Sequence, residues 1–494
     1  MSRINTNVSS MLAQRVLSQQ NQSLQTSLER LSTGLRINRG RDDPAGLIAS
    51  ENLRAEKAAL TAAIGNGERA DQVLNIAEGG LNEVNALLVQ LESLVDSSAN
   101  DAGLSAQEKE ANQIQIDSIL NTIDRLATAV NFQGEKLLDG TQAFKVGESN
   151  GVESAEVTKV QVNAAKIATG SALTVNATVN TAATRATAGI NLGQLAGEVL
   201  TQGTTIEITG SKGTQQLSFG ANADISAIQS AINDYSDVTG VQAAAPTDSG
   251  GAGTDDTLEL QSTAFGSDQS ISVKVISGDA IVGAASDDGA ANVAVGQPVT
   301  DSGTDVDATI NGQAANGDGL TARVANSALD IEVTFDSSFA ATSTFSVDGG
   351  GAKFQLSPDL GFVGMEAIGL QSVSTGTLGS AADTLNELRS GGSLSVTDAS
   401  ADLSLAQDAV RGAIKTVSQT RGRIGAFQSQ TVRASIRSNQ VALENTASAE
   451  SQIRDTDFAS ETAELTRSQI LVNAATNVLS LANSQPQSVL SLLG

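Results

Sequence analysis

The sequence predicts an α+β protein in which N- and C-terminal helices pair as a coiled-coil bundle, with a β-rich variable insertion between them. Apolar residues recur at heptad spacing in residues 1–140 and 381–494, which favours helices that pack along a seam. In residues 141–380, which are rich in Gly, Thr, Ser, Val and Asp, apolar and polar side chains alternate as in strands. Three separate domains joined by linkers are the alternative, but they would leave apolar helix faces exposed to water.

Two apolar seams run along the first helical arm. They pass through Leu17, Leu24, Leu28, Leu31 and Leu35, and then through Leu74, Leu81, Val84, Leu88, Leu91 and Val95. These spacings place an apolar side chain on the same helix face at each turn. Asp43 followed by Pro44 predicts the start of the second helix, because Asp caps helix N-termini and Pro suits the first helical position. Residues 116–130 predict a third helix.

The second arm has the same kind of seam. Its apolar residues, seven apart, are Leu403, Val410, Val417 and Ile424, and we expect Ile436 and Leu443 to extend the pattern. The last stretch, residues 465–493, is apolar and rich in Ala, Leu and Asn. Since a seam cannot bury itself, strips at opposite ends of the chain are expected to pack together.

The middle of the chain has strand and turn signals. Residues 205–209, 216–219, 270–275 and 330–335 alternate apolar and polar side chains and predict strands, whereas residues 225–235 predict one short helix. The pairs Asn311–Gly312 and Asn316–Gly317 are expected in turns, because both residue types accept positive φ.

Composition excludes several classes of function. The 494 residues include no Cys and no His, which excludes thiol nucleophiles, histidine bases and the usual zinc ligands. The formal net charge of −26 argues against nucleic-acid binding. No apolar run approaches the roughly 20 residues of a membrane-spanning helix, and the N-terminus lacks the apolar core of a secretory signal peptide. We therefore expect no enzyme activity, cofactor, metal, nucleic acid or membrane insertion.

Long segments at both ends resemble the flagellin family. They are SRINTNVSSMLAQ at 2–14, SLERLSTGLRINRGRDDPAGLIASENL at 27–53, AEGGLNEVNALL at 77–88 and most of residues 425–493. The resemblance implies a structural subunit that polymerises into the helical bacterial flagellar filament for swimming motility. It also implies an extracellular location, reached by the flagellar type III route as an unfolded chain without a cleaved signal peptide.

The same resemblance implies three domains. Residues 1–40 and 455–494 are expected to be disordered in the monomer and to pair in the filament core, where Leu471, Val478 and Leu481 join the first seam. Residues 41–145 with 381–454 are expected to form a helical rod domain with a β-hairpin near 131–148, the candidate switch between filament forms. Residues 146–380 are expected to be a β-rich, surface-exposed variable region with two subdomains.

The expected partners are other copies of the chain, an export chaperone at the C-terminal segment, the filament cap protein and hook-associated junction proteins. Arg39, Arg41, Asp42 and Asp43 have two interpretations, a capped helix beside solvated arginines or pairing with a neighbouring subunit.

A helix that innate immune receptors of the Toll-like class read in flagellins matches residues 88–96. The chain has Gln90 and Glu92 where arginines are typical of the family, but it retains Leu94. Losing a cationic fork weakens the recognition of a carboxylate, so these departures predict weaker receptor binding.

Three other functions fit parts of the sequence. A hook–filament junction protein shares the coiled-coil ends, but the extended C-terminal resemblance favours the filament subunit. A surface adhesin would explain the acidic β-rich middle but not the paired ends. A zinc protease, which some flagellins carry as an insert, needs the histidines that this chain lacks.

Overall fold

The fold is taken from a computed structural model. It describes residues 6–100, 103–147, 157–168, 171–192, 199–244, 257–283, 293–326, 328–361, 364–380, 383–398 and 401–491. The chain forms two compact units. Unit 1 comprises Met1–Leu74, Phe354–Gly364 and Gly425–Gly494, and unit 2 comprises Asn75–Lys353 and Met365–Ile424.

Helices occupy both ends of the chain. They are α1 (Val8–Thr33), α2 (Pro44–Ser98), α3 (Ala106–Ala129), α4 (Ile225–Asp234), α5 (Ser236–Thr239), α6 (Leu403–Ala426), α7 (Arg433–Arg454) and α8 (Phe458–Ser491). A short 3-10 helix spans Leu385–Leu388, and a π-helical turn, Phe427–Val432, separates α6 from α7.

Strands occupy the middle. In chain order they are β1 (Asn131–Phe132), β2 (Glu135–Lys136), β3 (Phe144–Gly147), β4 (Val157–Ala165), β5 (Leu173–Thr181), β6 (Thr187–Asn191), β7 (Thr204–Thr209), β8 (Thr214–Phe219), β9 (Val241–Ala243), β10 (Thr257–Ser262), β11 (Ser270–Ser277), β12 (Val282–Gly283), β13 (Pro298–Ser302), β14 (Asp307–Ile310), β15 (Gln313–Ala314), β16 (Asn316–Asp318), β17 (Thr321–Ala325), β18 (Leu329–Phe335), β19 (Thr342–Gly350), β20 (Ala352–Gln355) and β21 (Met365–Ile368).

Helix ends in unit 1 follow their capping residues. The Asn7 side chain accepts a hydrogen bond from the Ser10 amide, and α1 stops at Gly34, whose φ of 74° is the left-handed conformation that suits glycine. The second helix begins where predicted, at Pro44, with Asp43 accepting from the Gly46 amide at 2.9 Å. Both ends of α1 and the start of α2 are therefore set by the local sequence.

The chain segments beside α1 and α8 are joined by backbone hydrogen bonds. The Arg36 amide donates to the Arg454 carbonyl at 2.7 Å, and the Thr456 amide donates to the Gly34 carbonyl at 2.9 Å. These bonds hold the end of α1 beside the start of α8, although the two lie more than 400 residues apart in sequence. The antiparallel pairing of the terminal helices starts here.

The helical part of unit 2 has an apolar core along the predicted seam. Residues of the seam from Leu81 to Val95 are buried on α2, as are Val410 and Val417 on α6. At the edge of this seam, Arg411 donates from Nε to Glu92 Oε1 at 2.9 Å. A capping box formed by Ser105 and Glu108 starts α3. The buried face of this helix includes Ile116, Leu120 and Ile123.

The predicted seven-residue repeat of the second arm does not continue past Ile424. The next buried positions are Gln428 and Val432, each four residues further on, and the π-helical turn covers this stretch. Adding a residue to one turn rotates the following helix face, so the π-turn lets the buried stripe continue into α7. Ile436 and Leu443 are half-buried in the shifted phase.

The β-rich part of unit 2 contains two separate apolar cores. One core lies between the sheets β15-β14-β5-β19-β3 and β16-β17-β18-β4 and includes Phe335 and Phe345. The other lies between β12-β6-β10-β9 and β13-β11-β7-β8, with Ile228 and Ile232 of α4 closing it. The strands and the short helix predicted in this zone all form.

One Asn–Gly turn prediction is confirmed and the other is wrong, and the expected hairpin is shorter than predicted. Asn311–Gly312 forms the turn between β14 and β15, with both residues at positive φ, but Asn316 and Gly317 lie in β16, paired with β17. The expected hairpin near residues 131–148 is limited to β1 and β2, joined by Gln133 and Gly134 at positive φ. The strand that follows, β3, pairs with β19 instead, because its Phe144 and Val146 pack against one of the β-rich cores.

Candidate functional site

The terminal helices α1 and α8 contact each other through small side chains. The buried positions are Ser10, Ala13 and Ser27 on α1 and Ser468, Ala475 and Ala482 on α8. The three on α8 are spaced seven residues apart, and on α1 the half-buried Leu17, Leu24 and Leu31 complete a heptad pattern. Small side chains on both partners let the two helix axes approach closely.

Polar contacts fasten this pair at both ends. Near the termini, Asn7 Nδ2 donates to the Ala482 carbonyl at 2.7 Å, and the Ser10 hydroxyl donates to Asn483 Oδ1 at 2.6 Å. At the other end, Arg30 and Glu461 form an ion pair of 3.5 Å. The fixed polar partners define one register of α1 against α8.

Large apolar side chains of the two terminal helices lie outside this contact. Leu28, Leu471, Val478 and Leu481 are exposed in the single chain. The sequence predicts them in the core seam of the assembled filament, and that stays a prediction. An open groove of about 500 Å³ runs beside the contact, and it is lined by Leu12, Val16, Leu471, Val478 and Leu481 among others. The pair therefore exposes a wide apolar surface, which is typical of a protein interaction site.

The second predicted seam lies almost wholly inside the protein. On α2 and α6 its buried members are Leu74, Leu81, Val84, Leu88, Leu91, Val95, Val410, Val417 and Ile424, whereas Leu403, in the first turn of α6, is half-buried. Leu35, the last member of the first predicted seam, lies just after α1 and is half-buried too. Because these side chains are covered within the chain, the seam supports the subunit's own fold and offers little surface to a partner.

The charged segment before α2 makes contacts within the chain. Arg39 pairs with Glu29 at 2.9 Å, and Arg41 lies 3.7 Å from Asp42. The Asp42 carboxylate accepts from the backbone amides of Arg39 and Asn38, and the Arg39 amide is the main cause that lowers the Asp42 pKa. Both arginine side chains keep more than half of their surface exposed, so they stay open to further contacts.

The helix face with the predicted immune-receptor residues lies on α2. Gln90 is exposed and Leu94 is half-buried. Glu92, between them, is engaged by Arg411 of α6. Gln90 and Leu94, four residues apart, share one face of the helix, whereas Glu92 points to a different side.

Sequence reasoning missed a polar stripe on α3. The buried Gln113 donates to the Leu388 carbonyl at 2.8 Å and accepts from the Val396 amide at 3.0 Å. Further along, Asp124 accepts from the Thr375 amide at 2.8 Å. The stripe fixes Thr375, Leu388 and Val396 against the helix. Its only signal in the sequence was a series of polar residues three or four apart beside an apolar stripe.

Asp117 belongs to the same stripe and accepts from the Ser390 side chain and amide. Burial raises the Asp117 pKa, but these bonds, with help from Gln113 and Arg389, outweigh burial and hold the pKa below its ordinary value. The contacts of the folded chain thus favour the ionised form of the Asp117 carboxylate.

The described residues contain neither of two further kinds of site. Among them, no group of three or more acidic side chains has the arrangement that could hold a metal ion. In the same ranges, no helix has an apolar stretch of the length needed to cross a membrane. The apolar surface of the terminal helices is therefore the main candidate site.

Comparisons with known proteins agree on one family. Residues 4–143 match the bacterial flagellin N-terminal helical region, and residues 407–493 match the bacterial flagellin C-terminal helical region. Flagellin D of Vibrio anguillarum is 27% identical over 494 residues, and the flagellin of Salmonella typhimurium is 29% identical over 521 residues. Both alignments cover 99% of this chain and 99% of the relative.

Solved structures give a weaker likeness. Flagellar hook associated protein-3 from Legionella pneumophila is 11% identical with a TM-score of 0.30, and the alignment covers 82% of this chain and 98% of that one. A TM-score this low establishes no common fold.

Proposed function

The chain belongs to the flagellin family, and we propose that its two ends drive the assembly of the flagellar filament. It is a structural subunit that polymerises with copies of itself into the extracellular filament. In the proposal, residues 1–40 and 455–494 are disordered in the monomer and fold as the paired core when a subunit joins. Residues 41–145 with 381–454 form the rod domain, and residues 146–380 face the solvent.

The observation that carries this proposal is the position of the large apolar side chains on α1 and α8. Leu471, Val478 and Leu481 line the open groove beside the helix contact, where 41%, 56% and 65% of their surfaces are exposed in a single chain. Burial against other subunits would remove this area from water at about 25 cal/mol per Å². That gain offsets the backbone entropy of ordering the ends, which costs about 1–2 kcal/mol per residue.

Coupling of folding to assembly follows from these two terms. A single chain has too little buried area at its ends to hold α1 and α8 in place, whereas neighbouring copies supply the missing area. Contacts between different patches of successive copies do not close on themselves, so they generate a helical polymer rather than a ring.

Electron microscopy of seeded polymerisation tests the proposal. The purified chain is mixed with filament fragments at raised salt, which screens the net charge of −26. We expect long helical filaments from the full chain and none after deletion of residues 1–40 or 455–494. Thermal melting of the deletion variants checks that the remaining chain is folded. Long filaments from either deletion variant would refute the role of the ends.

A matched set of surface substitutions separates the apolar face from general surface effects. Changing Leu471, Val478 and Leu481 together to Ser is expected to abolish polymerisation. Changing Tyr235, Val238 and Ile276 to Ser, which removes comparable exposed apolar area from the β-rich part of unit 2, is expected to leave it intact. Equal polymerisation by both variants would contradict the proposal. Short stubs from the intact chain would favour the hook–filament junction function.

We also propose the finer features that the family resemblance implies. The chain leaves the cell unfolded by the type III flagellar route without cleavage of a signal peptide, and an export chaperone binds its C-terminal segment. The cap protein and hook-associated junction proteins contact the filament at its two ends. The β1–β2 hairpin is the switch between filament forms. Independently of the resemblance, Arg39, Arg41, Asp42 and Asp43 are candidates for contacts between subunits, with capping of α2 as the alternative role of Asp43.

A further inference from the structure

A short turn in unit 1 presents a leucine almost entirely to water. Leu360 follows Pro358 in the turn after β20, and 94% of its surface is exposed. Among the large apolar residues of the described chain, no other is as exposed; the next, Val8 near the N-terminus, reaches 68%. Single exposed leucines are common on protein surfaces, so exposure alone does not indicate a function. The conformation of the turn is the further observation.

The turn is held in place by its own hydrogen bonds. Gln355 Nε2 donates to the carbonyls of Ser357 and Asp359, at 3.1 and 2.6 Å. The Gly361 amide donates to the Asp359 carbonyl at 2.9 Å. Pro358 fixes φ within this network, so the described part of the turn, residues 355–361, is restrained in the conformation that exposes Leu360.

The base of the turn is anchored on helices of unit 1. Asn439 Nδ2 of α7 donates to the Leu356 carbonyl at 2.8 Å, and the Leu356 side chain is buried beside Gly67 of α2. Phe354 packs against Phe427 with ring centroids 6.3 Å apart. One leucine of the segment is thus buried in the unit, while a second, four residues later, is held outward by a fixed backbone.

We propose that Leu360 is an intersubunit knob, which inserts into an apolar hollow on a second copy of this chain in the filament. The proposal rests on the proposed function, because a filament subunit is surrounded by identical copies. The turn belongs to unit 1, the unit that also contains the terminal helices proposed to make the core contacts. A rigid apolar projection that enters a different patch of the next copy is a heterologous contact, as helical growth requires. Because the turn is preorganised, little conformational entropy is lost when it docks.

The absence of cysteine from the chain makes this contact directly measurable. Leu360→Cys introduces the only thiol, and its rate of reaction with a maleimide reports its accessibility. The variant is copolymerised with an excess of unmodified chain, and the rate is compared between monomer and filament. We expect the thiol to react roughly tenfold or more slowly in the filament. Val238→Cys, on the β-rich part of unit 2, is the control and should react equally in both forms.

A second variant tests the energetic side of the contact. Leu360→Ser is expected to leave the melting temperature of the monomer unchanged, because the side chain is exposed there. It should raise the critical concentration for polymerisation by roughly tenfold, the loss expected for one leucine no longer buried. Leu360→Met, which keeps the apolar volume, should restore assembly to nearly the original level.

The outcomes separate this proposal from the one on which it rests. If the unmodified chain polymerises but Leu360→Cys reacts at the same rate in monomer and filament, the knob proposal is overturned and the filament function stands. An unchanged critical concentration for Leu360→Ser would also overturn it. If the unmodified chain forms no filament, both proposals fail.

Discussion

The side chains of Ser10 and Asn483 share a hydrogen bond of 2.6 Å, although they stand 473 positions apart in the chain. Ser10 lies in the first turn of α1, and Asn483 lies near the end of α8. The bond therefore joins the two termini in one register, and it sits beside the small-residue contact of the terminal helices.

We expect this hydrogen bond to be measurable as a coupling energy in the filament. Ser10→Ala and Asn483→Ala should each lower the temperature at which filaments dissociate, and the double variant should lose less than the sum. The difference should correspond to about 0.5–1.5 kcal/mol, the usual net contribution of one hydrogen bond. Ser9→Ala, at the exposed neighbouring position, is the control and should show no coupling with Asn483→Ala. Strict additivity for Ser10 would contradict the prediction.

The seam of α2 offers a pair of adjacent positions with opposite expectations. Leu88 is fully buried, whereas 51% of the Val89 surface is exposed. Leu88→Ala should lower the free energy of unfolding of the monomer by about 2–5 kcal/mol, because it removes buried area and leaves a cavity. Val89→Ala should change it by less than about 0.5 kcal/mol. Urea unfolding followed by helical circular dichroism measures both, and equal losses would mean that the seam is misassigned.

The buried side chain of Gln113 is expected to contribute to the free energy of unfolding, although glutamine is a polar residue. Replacing it with Leu keeps the volume but leaves the Leu388 carbonyl and the Val396 amide without this partner. An unsatisfied buried polar group costs about 1–3 kcal/mol, so the free energy of unfolding should fall by at least that much. Gln115→Leu, at an exposed position of α3, is the matched control. Faster hydrogen exchange of the Val396 amide in the Gln113 variant alone would show that stability is lost at this hydrogen bond. Identical exchange in the two variants would contradict that assignment.

The Asp305 carboxylate should make stability depend on pH. The Ser267 hydroxyl donates to it, as do the Ser267 and Gly319 amides, and these bonds lower the Asp305 pKa. Because the pKa is lower in the folded than in the unfolded chain, folding is stabilised while the group is ionised. This contribution is complete above the unfolded value of about 3.9, and it is lost as the pH falls through the lower folded pKa.

The corresponding test compares Asp305→Asn with the natural chain. The variant should unfold at lower urea concentration at pH 7, and the difference should shrink as the pH falls below about 3.9. Asp307→Asn changes an exposed carboxyl two residues away and should follow the curve of the natural chain. A difference that stays constant down to low pH would show that Asp305 contributes through packing rather than through charge.

The amino-acid sequence predicted the elements well where the pattern is local. The heptad spacing from Leu81 to Val95 and the alternation in residues 330–335 each follow from one helix or strand having a single buried face. Asp43 and Pro44 likewise marked the start of α2, because capping depends only on neighbouring backbone groups. The same signals could not show that Asn316–Gly317 belongs to a strand, since pairing with β17 decides it.

For the candidate site, the sequence by itself determined that both chain ends are amphipathic helices in need of a partner. Only the tertiary structure decided which residues of those helices meet. Two helices approach most closely where both have small side chains, so Ala475 and Ser27 occupy the contact while Leu471 and Leu28 are left outside it. Periodicity fixes a stripe on a helix, but the side of the stripe that touches the partner depends on the packing of both surfaces together.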